Sequence, residues 1–162
     1  MTKSTTSRPP TEPITVNRKA FHDYFIEEEY EAGIVLSGSE IKSLRGGRVN
    51  LRGSYARVDN DEVWLVDAHI SAYEQSGTLF NHDPMRARKL LLHRREISRL
   101  AGKLNAKGLT LVPLDLHWSG RRAKVKLGVA RGKKLYDKRD SIAERDATRE
   151  LARVVKSRRF DD

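Results

Sequence analysis

The 162-residue chain has no cysteine. This excludes a disulfide framework, Cys-ligated zinc and thiol catalysis, and it fits a reducing compartment, so a cytoplasmic protein is expected. Long apolar runs are missing as well. The longest apolar-rich stretch, Leu109 to Leu116, is interrupted by Thr110, Pro113 and Asp115 and is too short to span a bilayer. The opening stretch MTKSTTSRPPTEPITVNRKA lacks the continuous apolar segment of a secretion signal. Catalytic patterns are also scarce. The histidines at 22, 69, 82, 93 and 117 show no HExxH or other short metal-ligand spacing, and no GxSxG elbow occurs. Gly128-Val-Ala-Arg-Gly-Lys-Lys has the outline of a phosphate-binding loop, but three residues rather than four separate its glycines. Lys134 also stands where Ser or Thr would bind magnesium. A strand end followed by a basic turn is the simpler reading. The acidic cluster Glu27-Glu28-Glu29 with Glu31 lacks the separated pattern of a metal or acid–base site. No catalytic residue, metal or cofactor is therefore expected.

What the chain has in excess is positive charge. Lys and Arg number 32 against 22 Asp and Glu, a net charge of +10 on a chain that is 33% charged and 38% hydrophobic. The length suits one domain with a real core and an appendage. The charge calls for a polyanionic partner, which composition alone leaves open among nucleic acid, an acidic protein and an anionic membrane surface.

Residues 1–13 are rich in Thr, Ser and Pro and read as a disordered leader. Phe21 to Gly38, where aromatic and β-branched residues bracket acids, reads as two strands or one bent strand. Ile41 and Leu44 are spaced for a short helix over Glu40 to Leu44, ended by Gly46 and Gly47. Ser54 to Val58 and Glu62 to Val66 read as strands joined by a turn at Asp59-Asn60-Asp61. His69 to Pro84 reads as loop. Ile97, Leu100, Ala101 and Leu104 predict an amphipathic helix over 94–104. Gly108 to Trp118 and Arg122 to Ala130 read as two further strands. In the second, Val125, Leu127 and Val129 alternate with Lys124, Lys126 and Gly128, giving a core side and a cationic side. Short strands without a βαβ rhythm predict a mainly β, OB-like closed barrel over 14–130 with flanking short helices.

From Arg131 the composition changes. The last 32 residues hold 11 basic and 7 acidic side chains with few large apolar ones. Ser141-Ile-Ala-Glu144 is a capping-box pattern, and Ile142, Ala147, Leu151 and Val154 or Val155 make a thin apolar stripe. Residues 131–162 thus form a basic tail that is disordered when free or helical on a partner. Two acid-poor basic runs stand out. One is Arg86, Arg88, Lys89, Arg94, Arg95, Arg99 and Lys103; the other runs from Arg121 and Arg122 through Lys124, Lys126, Arg131, Lys133 and Lys134 to Lys138. Any one of these charges taken alone is an ordinary solvated residue. Tyr24, Tyr30, Tyr55, Trp64, Tyr73, Trp118 and Tyr136 offer stacking faces, although strand aromatics are more often core. An RNA- or single-strand-binding barrel is the outcome of pattern alone.

Several motifs then point to a family. Asn17-Arg-Lys-Ala, His22-Asp-Tyr, Ile26-Glu-Glu, Glu31-Ala-Gly and Gly38-Ser-Glu-Ile-Lys-Ser-Leu-Arg45 occur in order. Asn81-His-Asp-Pro84, Arg86-Ala-Arg-Lys-Leu-Leu-Leu-His93 and Gly132-Lys-Lys-Leu-Tyr-Asp-Lys-Arg139 follow. Together they closely resemble the tmRNA-binding small protein B family, also called SsrA-binding protein, from about residue 14 to about 155.

The resemblance implies an adaptor of bacterial trans-translation. Such a protein binds the tRNA-like domain of transfer-messenger RNA and delivers it to the A site of a 70S ribosome stalled on a non-stop message. It implies a tmRNA-binding face to which Glu31, Leu91 and Lys124 belong, with Lys126, Arg45 and Lys89 as further cations of that surface. Lys124 suits a phosphate contact. Glu31 accepts from a base edge, ribose hydroxyl or amide, orients a neighbouring Arg, or merely solubilises an edge. Leu91 belongs to a Leu-Leu-Leu run that normally faces a core; if exposed, it packs on a splayed base. His22 is implied near the decoding centre of the small-subunit rRNA, with a buried hydrogen-bonded histidine as the plainer alternative. Lys133, Lys134, Tyr136, Asp137, Lys138 and Arg139 open a tail implied to occupy the empty mRNA channel. A monomer bound one-to-one to tmRNA, with no membrane partner, completes the expectation. A structural ribosomal protein, an RNA-processing enzyme and a membrane-surface protein are the competing readings.

Overall fold

The computed structural model describes residues 11–77, 79, 81–133 and 145–153. Two units are distinguished, residues 1–131 and 132–162. The first is built from strands β1 (Thr11–Val16), β2 (Tyr24–Ile34), β3 (Val49–Asn50), β4 (Tyr55–Asp59), β5 (Glu62–Val66), β6 (His69–Ile70), β7 (Arg88–Leu91), β8 (Thr110–Ser119) and β9 (Arg122–Gly132). Three helices accompany them: α1 (Arg18–Asp23), α2 (Gly38–Arg45) and α3 (Arg94–Lys107).

The large sheet runs β1-β8-β4-β5-β7-β2-β9, and a further β8–β9 pairing closes it. Strands β8, β4, β5, β7, β2 and β9 therefore form a ring, which leaves no free edge around the barrel. The barrel is OB-like, as expected. Its interior holds Ala32, Leu65, Leu90, Leu111, Leu116, Val125, Leu127 and Val129, joined by Leu44 of α2 and Leu100 of α3. The β9 alternation holds for Val125, Leu127 and Val129, which are buried, and for Lys124 and Lys126, which keep partial exposure; Gly128, read on the cationic side, is instead buried against Leu114 and Ile26. The β4–β5 hairpin turns on Asn60 and Asp61, both at positive φ (46° and 59°), the conformation that matches the twist of paired strands.

Three local expectations need correction. Thr11, Glu12 and Pro13, placed in the leader, belong to β1 and pair with Ser119, Trp118 and His117 of β8, because that edge of β8 offers its backbone groups to any extended chain beside it. The segment expected to begin as strand at Phe21 starts instead inside α1. Asn17 decides this: its Oδ1 accepts from the Ala20 N–H, and its Nδ2 donates to the Pro113 carbonyl at 2.9 Å and the Leu51 carbonyl at 3.3 Å. A cap fastened at several points overrides the β preference of the residues that follow. The stretch His69 to Pro84 contains β6, paired with β3, and a 3-10 turn at Glu74–Ser76.

Beneath α1, on the outer side of the barrel wall, a second small core joins Ala20, Val112, Leu114 and Ala130. An irregularity of β8 between Pro113 and Asp115 makes it possible, since the extra residue lets Leu114 face α1 while Leu116 returns to the barrel interior. In the second unit residues 145–153 are helical and all exposed, Leu151 by 68%. The Ser141 to Glu144 capping pattern lies outside the described residues. Among the described residues no helix is long and apolar enough to cross a membrane, and no three His, Asp or Glu cluster as a metal site.

Candidate nucleic-acid interface

Adjacent strands β7, β2, β9 and β8 bring residues far apart in sequence onto one outer face. In β7, Arg88 and Leu90 are buried, whereas Lys89 and Leu91 point outward. Leu91 is 53% exposed and lies opposite Gly33 of β2. Glu31, two residues before Gly33, shares its face and is nearly half exposed. Its carboxylate meets Nε2 of His117 at 2.9 Å, and Nδ1 of the same ring meets Asp115 at 2.6 Å. Lys124 is the cross-strand partner of His117, and Lys126 that of Asp115. The structure thus brings together Glu31, Leu91, Lys124 and Lys126. Lys89 shares the outward side of β7 and pairs with Glu62 at 3.0 Å. Arg45 is exposed in the last turn of α2 and is not on these strands.

The acidic run of β2 is partnered residue by residue. Glu27 accepts from Arg131 at 2.7 Å, Glu28 pairs with Lys103 and Tyr30, Glu29 lies 3.9 Å from Lys126, and Glu31 meets His117. Hydrogen bonds from Lys103 and then Tyr30 hold the Glu28 carboxyl below its ordinary range. A cluster with no evident chemistry in sequence is therefore the means by which β2 is tied to α3 and β9.

Not every cation of the basic runs faces outward. Arg88 is fully buried and ion-pairs with Glu40, itself fully buried, and Arg88 Nη1 donates to the Ala68 carbonyl at 2.8 Å. Arg86 binds the other oxygen of Glu40, with Nε at 3.1 Å. Glu40 also closes the α2 capping box by accepting from the Ser37 N–H at 2.9 Å. Burial alone would raise this carboxyl, but the bonds from Arg86, Ser37 and Arg88 outweigh it and hold it down to about 2. Burial in turn pushes the Arg88 guanidinium down. These two arginines are structural, and sequence reasoning missed their acid because Glu40 lies more than forty residues away.

His22 sits in the last turn of α1 with its side chain 49% exposed and Nδ1 2.9 Å from Asp23. It is not the buried histidine of the plainer alternative. Beside it opens a cleft of about 340 Å³ lined by Asn17, Lys19, Tyr24, Ser54, Tyr55 and Thr110. Of the tail residues, Lys133 is half-buried, while Lys134, Tyr136, Asp137, Lys138 and Arg139 lie outside the described residues. Tyr30 and Trp118 pack against the barrel core, as strand aromatics usually do.

A closed OB-like barrel whose outer wall presents two lysines, an oriented carboxylate and an exposed leucine across three strands defines a small RNA-binding protein. The chain belongs to the SmpB family: it matches the family described as "SmpB protein" over residues 14–157. It is 70% identical over 148 residues to the SsrA-binding protein of Chloroflexus aurantiacus, covering 91% of this chain and 92% of that one. The SsrA-binding protein of Roseiflexus sp. (strain RS-1) is 67% identical over 145 residues, covering 90% and 92%. A solved structure described as "tmRNA-SmpB: a journey to the center of the bacterial ribosome" superposes with a TM-score of 0.64 at 51% identity, over 79% of this chain and 93% of that one.

Proposed function

We propose that this protein is a non-catalytic, cytoplasmic RNA-binding adaptor of trans-translation. It binds the tRNA-like domain of tmRNA and brings it to the A site of ribosomes stalled on non-stop mRNA, so that the nascent peptide is tagged and the ribosome released. The observation that carries this reading is the juxtaposition of Leu91, Glu31 and Lys124, drawn from β7, β2 and β9, on one wall of the barrel in a chain of this family. Lys124 and Lys126 meet phosphates, Leu91 packs on an unstacked base, and Glu31 accepts from a base or ribose donor. Lys89 and Arg45 add attraction at the margins. Exposed His22 faces the decoding centre. The tail from Lys133, Lys134 and Tyr136 to Asp137, Lys138 and Arg139 reads the empty mRNA channel. An mRNA and the tail compete for one volume, so sensing a vacant channel needs no catalytic group. The protein acts as a monomer, one per tmRNA.

The test is binding to the isolated tRNA-like domain of tmRNA, beside an elongator tRNA and a scrambled RNA of equal length, across a salt series. A preference that survives rising salt is expected. Affinities that are indistinguishable and fall together would reduce the protein to a basic RNA-binding barrel and favour a structural ribosomal role.

A further inference from the structure

We propose that His117 is a positioning residue for the RNA face: its imidazole, anchored by Asp115, fixes the orientation of the Glu31 carboxylate. The proposal rests on the reading of Glu31 as an RNA contact.

His117 is only 7% exposed, although it lies on the outer wall of β8. Both ring nitrogens are committed, Nδ1 to Asp115 at 2.6 Å and Nε2 to Glu31 at 2.9 Å. Asp115 stands two residues away on the same strand, placed there by the irregularity after Pro113. Glu31 comes from β2, 86 residues distant in sequence. Lys124 faces the ring across the β8–β9 ladder, Lys126 lies 3.8 Å from Asp115, and β1 offers uncharged Pro13 on the other side. A neutral imidazole has one N–H, so it donates to Glu31 or to Asp115 but not to both. Contacts at both ring nitrogens join Asp115, His117 and Glu31 in one chain.

This matters because a carboxylate on a phosphate-facing surface is repelled unless it is aimed at a donor. A solvated glutamate also loses rotamer freedom when RNA orders it. A partner that fixes Glu31 beforehand removes part of that cost. His117 is too buried to be a main contact itself, so its effect passes through Glu31.

A double-mutant cycle on the full chain tests this, with the tRNA-like domain of tmRNA as the probe at constant salt. His117→Leu removes both bonds; His117→Gln retains one donor. Each is expected to weaken binding, Leu by roughly tenfold or more and Gln by less. In a Glu31→Ala background, which removes the acceptor, His117→Leu should then change affinity by less than about twofold. Equal losses in both backgrounds, or an unchanged affinity in folded His117→Leu, would overturn the proposal. Thermal melting establishes folding, and if the leucine variant does not fold, the same cycle is read with glutamine. Wild-type binding to scrambled RNA of equal length is measured alongside. Loss of preference there overturns the functional reading itself, whereas a preserved preference with additive losses overturns only the role of His117.

Discussion

Leu91 of β7 lies directly across from Gly33 of β2, so closely that a Cβ added to Gly33 would stand 3.3 Å from the Leu91 Cβ. The missing side chain lets an exposed leucine rest on the backbone of the neighbouring strand, beside Glu31. Its sequence neighbour Leu90 is 1% exposed and belongs to the barrel core. Adjacent leucines on one strand thus serve opposite sides of the wall.

That division is measurable. Leu91→Ala should leave unfolding stability within about 0.5 kcal/mol while lowering affinity for the tRNA-like domain. Leu90→Ala should cost about 2–5 kcal/mol in urea unfolding. A large stability loss from Leu91→Ala would mean that the leucine is a core residue after all.

Glu40 is held between Arg86 and Arg88 and caps α2 as well. Glu40→Gln leaves the buried Arg88 guanidinium without its counter-charge and should destabilise the protein by roughly 3–5 kcal/mol. The carboxyl is held at about 2 in the fold against an ordinary value of 4.5. Its contribution is therefore complete above the ordinary value and lost as the pH falls from there toward about 2. Urea midpoints measured between pH 6 and pH 2 (roughly the window that linkage defines) should fall less steeply for Glu40→Gln than for the wild type.

Lys124→Ala should weaken tmRNA binding and reduce the salt slope of that binding by about one unit, the signature of a lost phosphate contact. Because β9 runs to Gly132 and Arg131 holds Glu27, the cut falls after Lys133 rather than at 131, and removing the residues beyond it should leave binding largely intact and abolish peptide tagging on stalled ribosomes. Equal loss of RNA affinity in the truncated chain would refute this separation of barrel and tail.

Gly128 sits where β9 passes under the small outer core. A Cβ there would meet Leu114 Cδ1 at 3.0 Å and Ile26 Cγ2 at 3.1 Å. Leu114 is fully buried, so it has little room to yield. Gly128→Ala should cost about 1–3 kcal/mol by overpacking. Because the same core seats α1, the substitution should also shift the His22 resonances in a two-dimensional NMR spectrum.

Much of the fold was legible because it depends on local pattern. The alternation of Val125, Leu127 and Val129 marked a half-buried strand, Asn60 and Asp61 marked a hairpin turn, and Ile97, Leu100 and Leu104 marked α3. The start of α1 was not legible. Phe21, Tyr24 and Phe25 favour strand, and the helix exists because Asn17 is bonded to carbonyls of Leu51 and Pro113. Nor could sequence sort the arginines, since Arg88 and Arg95 look alike in a basic run, yet one is fully buried and the other exposed.

Sequence by itself determined the class of partner, the barrel's strands and the family, because net charge, side-chain period and ordered motifs are properties of the chain alone. Tertiary structure decided which of these residues act together. Closing the ring of strands set Glu31 against His117 across 86 residues and turned Leu91 outward above Gly33. Strand order and register, not proximity along the chain, choose the neighbours of a side chain on a barrel wall.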